Sequence, residues 1–329
     1  MKKLLKLENL TQPEAYELFT QFALYAPEKQ SAILALLRAK TETVEEILGA
    51  LQYFRQHATV IAHDLDIIDI VGTGGDGACT FNISTAASIV MASCGALVAK
   101  HGGKSATSIS GSQDAIQSMN IGTPCSVEEA LENLRQTNYT YLWAPLFNTE
   151  LKKYGALRQK IGFPNIFNII GPLLNPMRPK RCVIGVYRRD LLQKVAEVLA
   201  GQEVHHALVV HSDDGLDEIS ISTHTHVIEI NRKHTKEYTL KPQDFGFYKA
   251  QLSDIRGGNP TENAALICDI LSGKIHGPKL DVVLFNAGAG LYVSGISHSI
   301  AEGISLAKVA IEQGNTISLL NKLRGLICV

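Results

Sequence analysis

Residues 72–85 read Gly72-Thr73-Gly74-Gly75-Asp76-Gly77-Ala78-Cys79-Thr80-Phe81-Asn82-Ile83-Ser84-Thr85, four glycines in six positions followed by hydroxyl and amide side chains. Glycine lacks a Cβ and reaches positive φ, so backbone N–H groups in such a loop can approach an anion closely. An apolar run at 66–71 precedes the glycines and a helical apolar pattern at 83–96 follows them. This spacing predicts a strand, a loop and a helix N-terminus, where the helix dipole adds partial positive charge. Thr80, Asn82, Ser84 and Thr85 add side-chain donors at the same place. The chemistry expected is binding of a phosphate or diphosphate; the competing reading is a tight turn capped by Ser84 or Thr85.

Two further stretches carry related chemistry. Lys100-His101-Gly102-Gly103-Lys104-Ser105-Ala106-Thr107-Ser108 follows a strand-like run and offers two cations, two glycines and three hydroxyls. In open α/β sheets ligands sit at such carboxyl ends of strands, although a solvated surface loop would read the same way. Ser110-Gly111-Ser112-Gln113-Asp114 then opens a helix, where capping by Ser112 competes with ligand binding. His211-Ser212-Asp213-Asp214-Gly215-Leu216-Asp217-Glu218 closes another strand with four carboxylates. Asp217 and Glu218 can hold Mg²⁺ by one or two oxygens while substrate phosphates and waters complete its octahedron; an acidic turn is the alternative. Asp213 and Asp214 read as turn residues. The pairs His205-His206 and His224-Thr225-His226 lack a third ligand pattern, so no metal is expected there. There is no G-x-S-x-G elbow, and the glycine loop fits neither G-x-G-x-x-G nor the Walker pattern.

The elements that must position these residues follow from periodicity. From Leu10 to about Ala58 the pattern is helical, with capping boxes at Thr11/Glu14 and Thr43/Glu46. Three short helices bury their stripes poorly alone, so this unit is expected to pack on later segments or on another subunit. Beyond residue 62, strand-like runs at 66–71, 96–100, 139–143, 181–187, 205–211 and 281–286 alternate with helices such as 127–136, 189–200, 260–272 and 299–313. That alternation predicts an α/β fold with a mostly parallel central sheet beside a small, mostly helical domain. Residues 147–179 interrupt it with a helical run at 149–161 and are expected to join the helical unit. Residues 219–247 alternate and predict antiparallel hairpins at one edge. The expected division is 1–62, helical and joined by part of 147–179, and 63–329, α/β.

Composition limits the function classes. With 329 residues and 45% hydrophobic content the chain is globular, and 31 basic against 32 acidic residues give a net charge of −1. No bulk electrostatic case exists for nucleic acid or an anionic membrane surface. Six widely spaced cysteines (79, 94, 125, 182, 268, 328) predict reduced, buried thiols and a cytoplasmic location. Lys6 and Glu8 interrupt any signal-peptide h-region.

Taken in order, several stretches resemble the anthranilate phosphoribosyltransferase family over essentially the whole length. They are Gly72-Thr73-Gly74-Gly75-Asp76, Asn82-Ile83-Ser84-Thr85, Lys100-His101-Gly102, Ser110-Gly111-Ser112 with Asp114, Ala144-Pro145-Leu146-Phe147, Phe167-Asn168-Ile169-Ile170-Gly171-Pro172-Leu173-Leu174-Asn175-Pro176, Gly215-Leu216-Asp217-Glu218, and Gly257-Gly258-Asn259 with Glu262-Asn263-Ala264. The resemblance implies a helical domain hinged to a larger α/β domain of the nucleoside phosphorylase and phosphoribosyltransferase type. It also implies a cleft site between them and homodimerisation through the helical part. The implied activity is transfer of the phosphoribosyl group of 5-phosphoribosyl 1-diphosphate to anthranilate in tryptophan biosynthesis. The implied donor-binding residues are Gly72, Gly75, Asp76, Thr80, Asn82, Ile83, Ser84, Thr85, Lys100, Ser108 and Ser112. Gly72, Gly103 and Arg158 fall at the anthranilate side, and two Mg²⁺ ions with Ser84, Asp217 and Glu218 as ligands are implied; no general base is assigned. Two departures lie on the acceptor side. Gly103-Lys104 replaces the family's Asn-Arg, and Asn148-Thr149 follows Phe147 where the family has a different run. Alternatives are a same-fold phosphorylase, a phosphoribosyltransferase with another aromatic acceptor, and a non-enzymatic nucleic-acid-binding relative.

Overall fold

The computed structural model describes residues 2–104 and 109–326. After a short turn of helix at Lys2–Leu5, three helices, Gln12–Phe22, Pro27–Ala39 and Val44–Gln56, open the chain. Both capping boxes form: the Glu14 carboxylate accepts from the Thr11 N–H at 2.9 Å, and Glu46 accepts from the Thr43 N–H at 2.9 Å. Glu46 is fully buried and also receives the Leu10 N–H at 2.8 Å and the Lys40 ammonium at 2.6 Å. Three donors on one carboxylate are what allow it inside the unit.

The helical unit is finished by a later stretch of chain. Thr149–Lys152, Gly155–Ile161 and Ile166–Ile170 leave the sheet after its third strand and pack onto the first helices. Phe167 lies 6.2 Å from Phe19, 6.0 Å from Phe22 and 5.6 Å from Phe54, centroid to centroid, and stacks on Tyr154 at 5.3 Å. Such edge and stacked contacts add to area burial. The run expected as one helix at 149–161 is broken at Lys153-Tyr154, where the Tyr154 ring turns into this cluster.

The sheet has seven strands: β1 Ile68–Gly72, β2 Val98–Gly102, β3 Tyr139–Trp143, β4 Arg181–Gly185, β5 His206–Ser212, β6 Thr225–Asn231 and β7 His234–Leu240. Their spatial order is β3-β2-β1-β4-β5-β6-β7. β1 to β5 run parallel, and β6 and β7 add an antiparallel hairpin. One face, with Ile68, Ile70, Val183 and Leu208, packs on the helices Ile83–Ser93 and Pro278–Ser294. The opposite face, with Ile184, Val209 and Ile228, packs on Arg189–Ala200 and is continuous with the core of the helical unit.

Three expectations are corrected. Residues 281–286 are not a strand but the start of the helix Pro278–Ser294, whose Val282–Leu291 stretch is buried on every side. A helix buried all round shows no periodicity, so its β-branched start mimics a strand. Ile219 and Ile221 are buried in a loop before β6 rather than paired in a hairpin. Cys182 is buried as expected, but Cys79 and Cys125 are exposed; the five described cysteines are free, and Cys328 lies outside the described residues. Among the described residues no helix is long and apolar enough to cross a membrane.

Candidate active site

The carboxyl ends of β1 and β2 and the Asp217-Glu218 turn beyond β5 line a cleft of about 250 Å³, closed on its other side by Leu151, Arg158, Phe167 and Asn168 of the helical unit. The glycine loop leaves β1 with positive φ at Gly74, Gly75 and Gly77. It is held from three directions. Gly74 N–H donates to Asp217 Oδ2 at 2.5 Å, Asn168 Nδ2 donates to the Thr73 carbonyl at 3.2 Å, and Tyr187 N–H donates to Thr73 Oγ1 at 3.1 Å. A Cβ at Gly72 would lie 2.8 Å from Asp217 Cγ, and one at Gly75 would lie 2.5 Å from Pro164 Cγ. Both glycines are therefore fixed by close approach, Gly75 by its φ of 83° as well.

The helix Ile83–Ser93 starts in the cleft. Ser84 N–H donates to Glu218 Oε1 at 3.2 Å, and Ser84 Oγ accepts from Lys100 Nζ at 3.2 Å. Lys100 is 1% exposed and also donates to the Ile70 carbonyl at 2.7 Å. Asn82 exchanges hydrogen bonds with Ser110, its Nδ2 to the carbonyl and its Oδ1 from the hydroxyl, both at 3.2 Å. Asn263 Nδ2 reaches Asn82 Oδ1 at 3.4 Å, and a bridge between Thr80 and Arg256 brings the 256–263 segment to the same rim. Ser112 Oγ meets Tyr141 OH at 2.9 Å, so its hydroxyl is engaged while Gly111 N–H takes Asp114 as its cap at 2.9 Å. Thr85 is fully buried, with a hydroxyl that has no partner in the protein. The Ile83 side chain belongs to the core, so only its backbone faces the cleft. Ser108 lies outside the described residues.

The electrostatics are unusual for a protein interior. Burial pushes the Asp217 carboxyl well above its ordinary range, and the charges of Asp76 and Glu218 push it further. Burial raises Glu218 to about 7 despite nearby Lys100. Lys100 is pushed down by its own burial, against the pull of Asp69, Glu218 and Asp217. Like charges crowded out of water are stabilised by a cation between them. The donor set is all oxygen, two carboxylates and the Ser84 hydroxyl, which fits a hard divalent ion such as Mg²⁺. Among the described residues no three His, Cys, Asp or Glu side chains form a metal cage on their own.

At the acceptor side Arg158 stands free of the partner expected for an ordinary helix arginine. Glu150 pairs instead with Lys153 at 2.5 Å and accepts the Tyr53 hydroxyl at 3.3 Å. The Arg158 guanidinium lies 6.0 Å from the Phe167 ring centroid, its Nε is buried without a partner, and burial lowers its pKa to about 10. A Cβ at Gly103 would meet only Ala144 Cβ, at 3.9 Å, so this glycine leaves space.

Five supporting residues carry more of the site than their sequence positions suggest. Asp69 Oδ2 accepts from Asn175 Nδ2 at 2.9 Å and Oδ1 from the His101 N–H at 3.3 Å; burial raises Asp69 to about 6 against the pull of Lys100. His101 is buried, and burial together with Lys100 lowers it to about 4; Asn148 Nδ2 reaches its Nε2 at 3.4 Å. Asn168 clamps the glycine loop, as above. The available signal was Asp69 standing between Ile68 and Ile70 in an apolar strand, since a buried carboxylate needs partners. The histidine clusters divide: His206 Nε2 meets Glu229 at 2.8 Å and His226 Nε2 meets Asp213 at 2.6 Å. Asp213 and Asp214 are turn residues, Asp214 capping the turn through Leu216 N–H and Ser220 OH.

Residues 64–317 match the family described as glycosyl transferase family, a/b domain, and residues 1–58 match the glycosyl transferase family, helical bundle domain. The anthranilate phosphoribosyltransferase of Bacillus pumilus (strain SAFR-032) is 41% identical over 294 residues, 89% of this chain and 86% of that protein. That of Bacillus subtilis (strain 168) is 39% identical over 319 residues, 96% and 94% of the two chains. Among solved structures, anthranilate phosphoribosyltransferase from Thermus thermophilus superposes with a TM-score of 0.89 at 33% identity, covering 99% of this chain and 98% of the other. The Saccharomyces cerevisiae enzyme in complex with PRPP and Mg gives 0.89 at 29% identity, covering 99% and 96%.

Proposed function

The chain belongs to the anthranilate phosphoribosyltransferase family, and from that premise we propose how its cleft divides the reaction. The enzyme transfers the phosphoribosyl group of 5-phosphoribosyl 1-diphosphate to the amine of anthranilate, giving N-(5-phosphoribosyl)anthranilate and diphosphate, with Mg²⁺ as its metal. An aromatic amine is already a nucleophile, so no strong general base is required. The barrier lies mainly in breaking the C–O bond to the departing diphosphate, and stabilising that charge is the main task.

The observation that carries the assignment is the meeting of the Gly74 loop, the Ser84 helix start and the buried Asp217-Glu218 pair. Gly72, Gly75, Asp76, Thr80, Asn82, Ile83, Ser84, Thr85, Lys100 and Ser112 form the donor side, loop amides and the Lys100 ammonium facing the phosphates. Ser84, Asp217 and Glu218 hold the metal side, and two ions per cleft suit their separate oxygens. Bound Mg²⁺ supplies electrostatic stabilisation of the leaving diphosphate. Arg158 receives the anthranilate carboxylate at the other end, beside Gly72, which Asp217 holds closely, and Gly103, which leaves room. Closing the helical unit over the cleft excludes water, which would otherwise compete with the amine.

Homodimerisation through the helical unit is part of this proposal, supported by the exposed apolar side chains Leu5, Leu7 and Leu24 on it. A cytoplasmic location is also proposed, consistent with free thiols. The testing experiment follows the loss of anthranilate fluorescence with phosphoribosyl diphosphate and Mg²⁺. Turnover that needs both is expected; consumption without the donor, or none with it, overturns the assignment.

A further inference from the structure

A larger cavity, of about 640 Å³, opens at the amino ends of the strands, away from the cleft. Asp66, Lys180 and His205, just before β1, β4 and β5, line it together with the end of the helix Val44–Gln56. Its other walls are the end of the helix Arg189–Ala200 with the turn after it and the two segments that join the helical unit to the sheet, 60–66 and 172–180. These are tied by the Ile61 N–H to the Pro176 carbonyl at 3.0 Å and by His63 Nε2 to the Met177 carbonyl at 2.7 Å. Ile61, Leu173, Met177, Ile184 and Leu199 give it an apolar lining.

At one end stands a group of donors short of acceptors. Arg55 Nη2 donates to the Leu173 carbonyl at 3.0 Å and to Gln202 Oε1 at 2.7 Å, and among the described residues no carboxylate pairs with this guanidinium. Burial lowers Arg55 to about 10, and the charge that adds to this is another cation, Arg178. Gln202 Nε2 is buried without an acceptor. Arg55, Arg178 and Gln202 also line a second space of about 340 Å³ against Gln12, Leu48 and Gln52, so they form the neck between two cavities. The carboxylates lining the cavity have other partners or face solvent: Asp66 is held by Arg181 at 2.8 Å, Glu203 lies 3.8 Å from Lys180, Asp69 is taken by Asn175, and Asp64 is exposed.

A half-buried guanidinium without a counter-ion, beside a second cation and an orphaned amide donor, is satisfied by oxyanion acceptors. We propose that this neck binds a small amphipathic oxyanion whose charged head meets Arg55, Arg178 and Gln202 Nε2 and whose apolar body lies against Ile61, Leu173 and Met177. Because the cavity is walled by both joining segments, its occupant touches the hinge of the molecule rather than the cleft.

The test is calorimetric titration of phenyl phosphate into the whole enzyme preloaded with phosphoribosyl diphosphate and Mg²⁺. One site per chain is expected, with inorganic phosphate binding more weakly because the apolar wall is unused. Arg55→Gln and Arg178→Asn should each weaken it by about tenfold or more, the loss of one charge-assisted contact. Arg178 is exposed with φ 47°, which asparagine tolerates, so Arg178→Asn should fold and turn over like the parent. Arg158→Ala, in the cleft, should leave phenyl phosphate affinity unchanged. No binding at tens of millimolar, equal affinity in Arg178→Asn, equal affinity for inorganic phosphate, or a loss confined to Arg158→Ala overturns the proposal.

Discussion

The Gly74 N–H donates to Asp217 Oδ2 at 2.5 Å, joining two segments 143 residues apart in the chain. The neighbouring Glu218 repeats the arrangement with the Ser84 N–H. The acidic turn therefore organises the phosphate loop as well as offering oxygens to a metal. Asp217→Ala with Glu218→Ala should lower kcat/KM by about 100-fold or more, roughly 2.7 kcal/mol, and remove the Mg²⁺ dependence of donor binding. Turnover near that of the parent at limiting Mg²⁺ would remove these residues from the metal site. Burial raises Glu218 to about 7, so its share of metal-free stability is present at low pH and lost as pH rises through about 7; Asp217, pushed up by burial as well, acts in the same sense. Without Mg²⁺ at pH 8 the double variant should melt no lower than the parent.

Gly75→Val should abolish donor binding in a folded protein. Valine at φ 83° is strained, and its Cβ would press on Pro164 at the junction with the helical unit. Calorimetry with phosphoribosyl diphosphate measures this; unchanged affinity would make the loop only a turn.

Arg158→Ala should raise the anthranilate KM by roughly 10- to 150-fold, the 1.5–3 kcal/mol of a charge-assisted pair, while the donor KM stays within about threefold. Lysine should not rescue it, since a bidentate fork is lost. Gly103→Asn has room beyond Ala144 and should preserve or improve anthranilate use. Steady-state kinetics for both substrates decide; equal losses for donor and acceptor in Arg158→Ala would indicate a folding defect instead.

His101 supplies a pH test. Its folded pKa is lowered to about 4, so its contribution to stability is present above about 6.5 and lost as pH falls toward 4, on the order of 3 kcal/mol in all. Asp69, raised to about 6, contributes in the opposite sense: its share is present below the unfolded value and lost as pH rises through 6. The two nearly cancel in the parent. In His101→Gln, where an amide can still face Asn148, stability should decline from pH 4 to 6.5 relative to the parent, measured by urea unfolding. Parallel pH profiles would show that His101 is not held neutral.

The glycine loop, the Lys100 strand end and the Asp217 turn were legible because each marks itself by residue type at a strand's carboxyl end. The five parallel strands were legible from short apolar runs, with ends one or two residues off. The helix Pro278–Ser294 was not, since burial on all sides erases the pattern that separates helix from strand. The Asp69–Asn175–His101 network was also missed, because its members meet only when two strands and a return segment are assembled. Asn148 is a buried support for His101.

Phe167 and Tyr154 complete an aromatic cluster begun by Phe19, Phe22 and Phe54. During synthesis the first helices thus leave the ribosome without Tyr154 and Phe167 against their rings and must wait until residue 170 has followed, by which time the segments of three strands of the sheet have been translated. Domains usually mature from the amino terminus as they emerge. Here the first unit to be translated is not the first that can be finished, since its ring cluster lacks two members until the middle of the chain arrives.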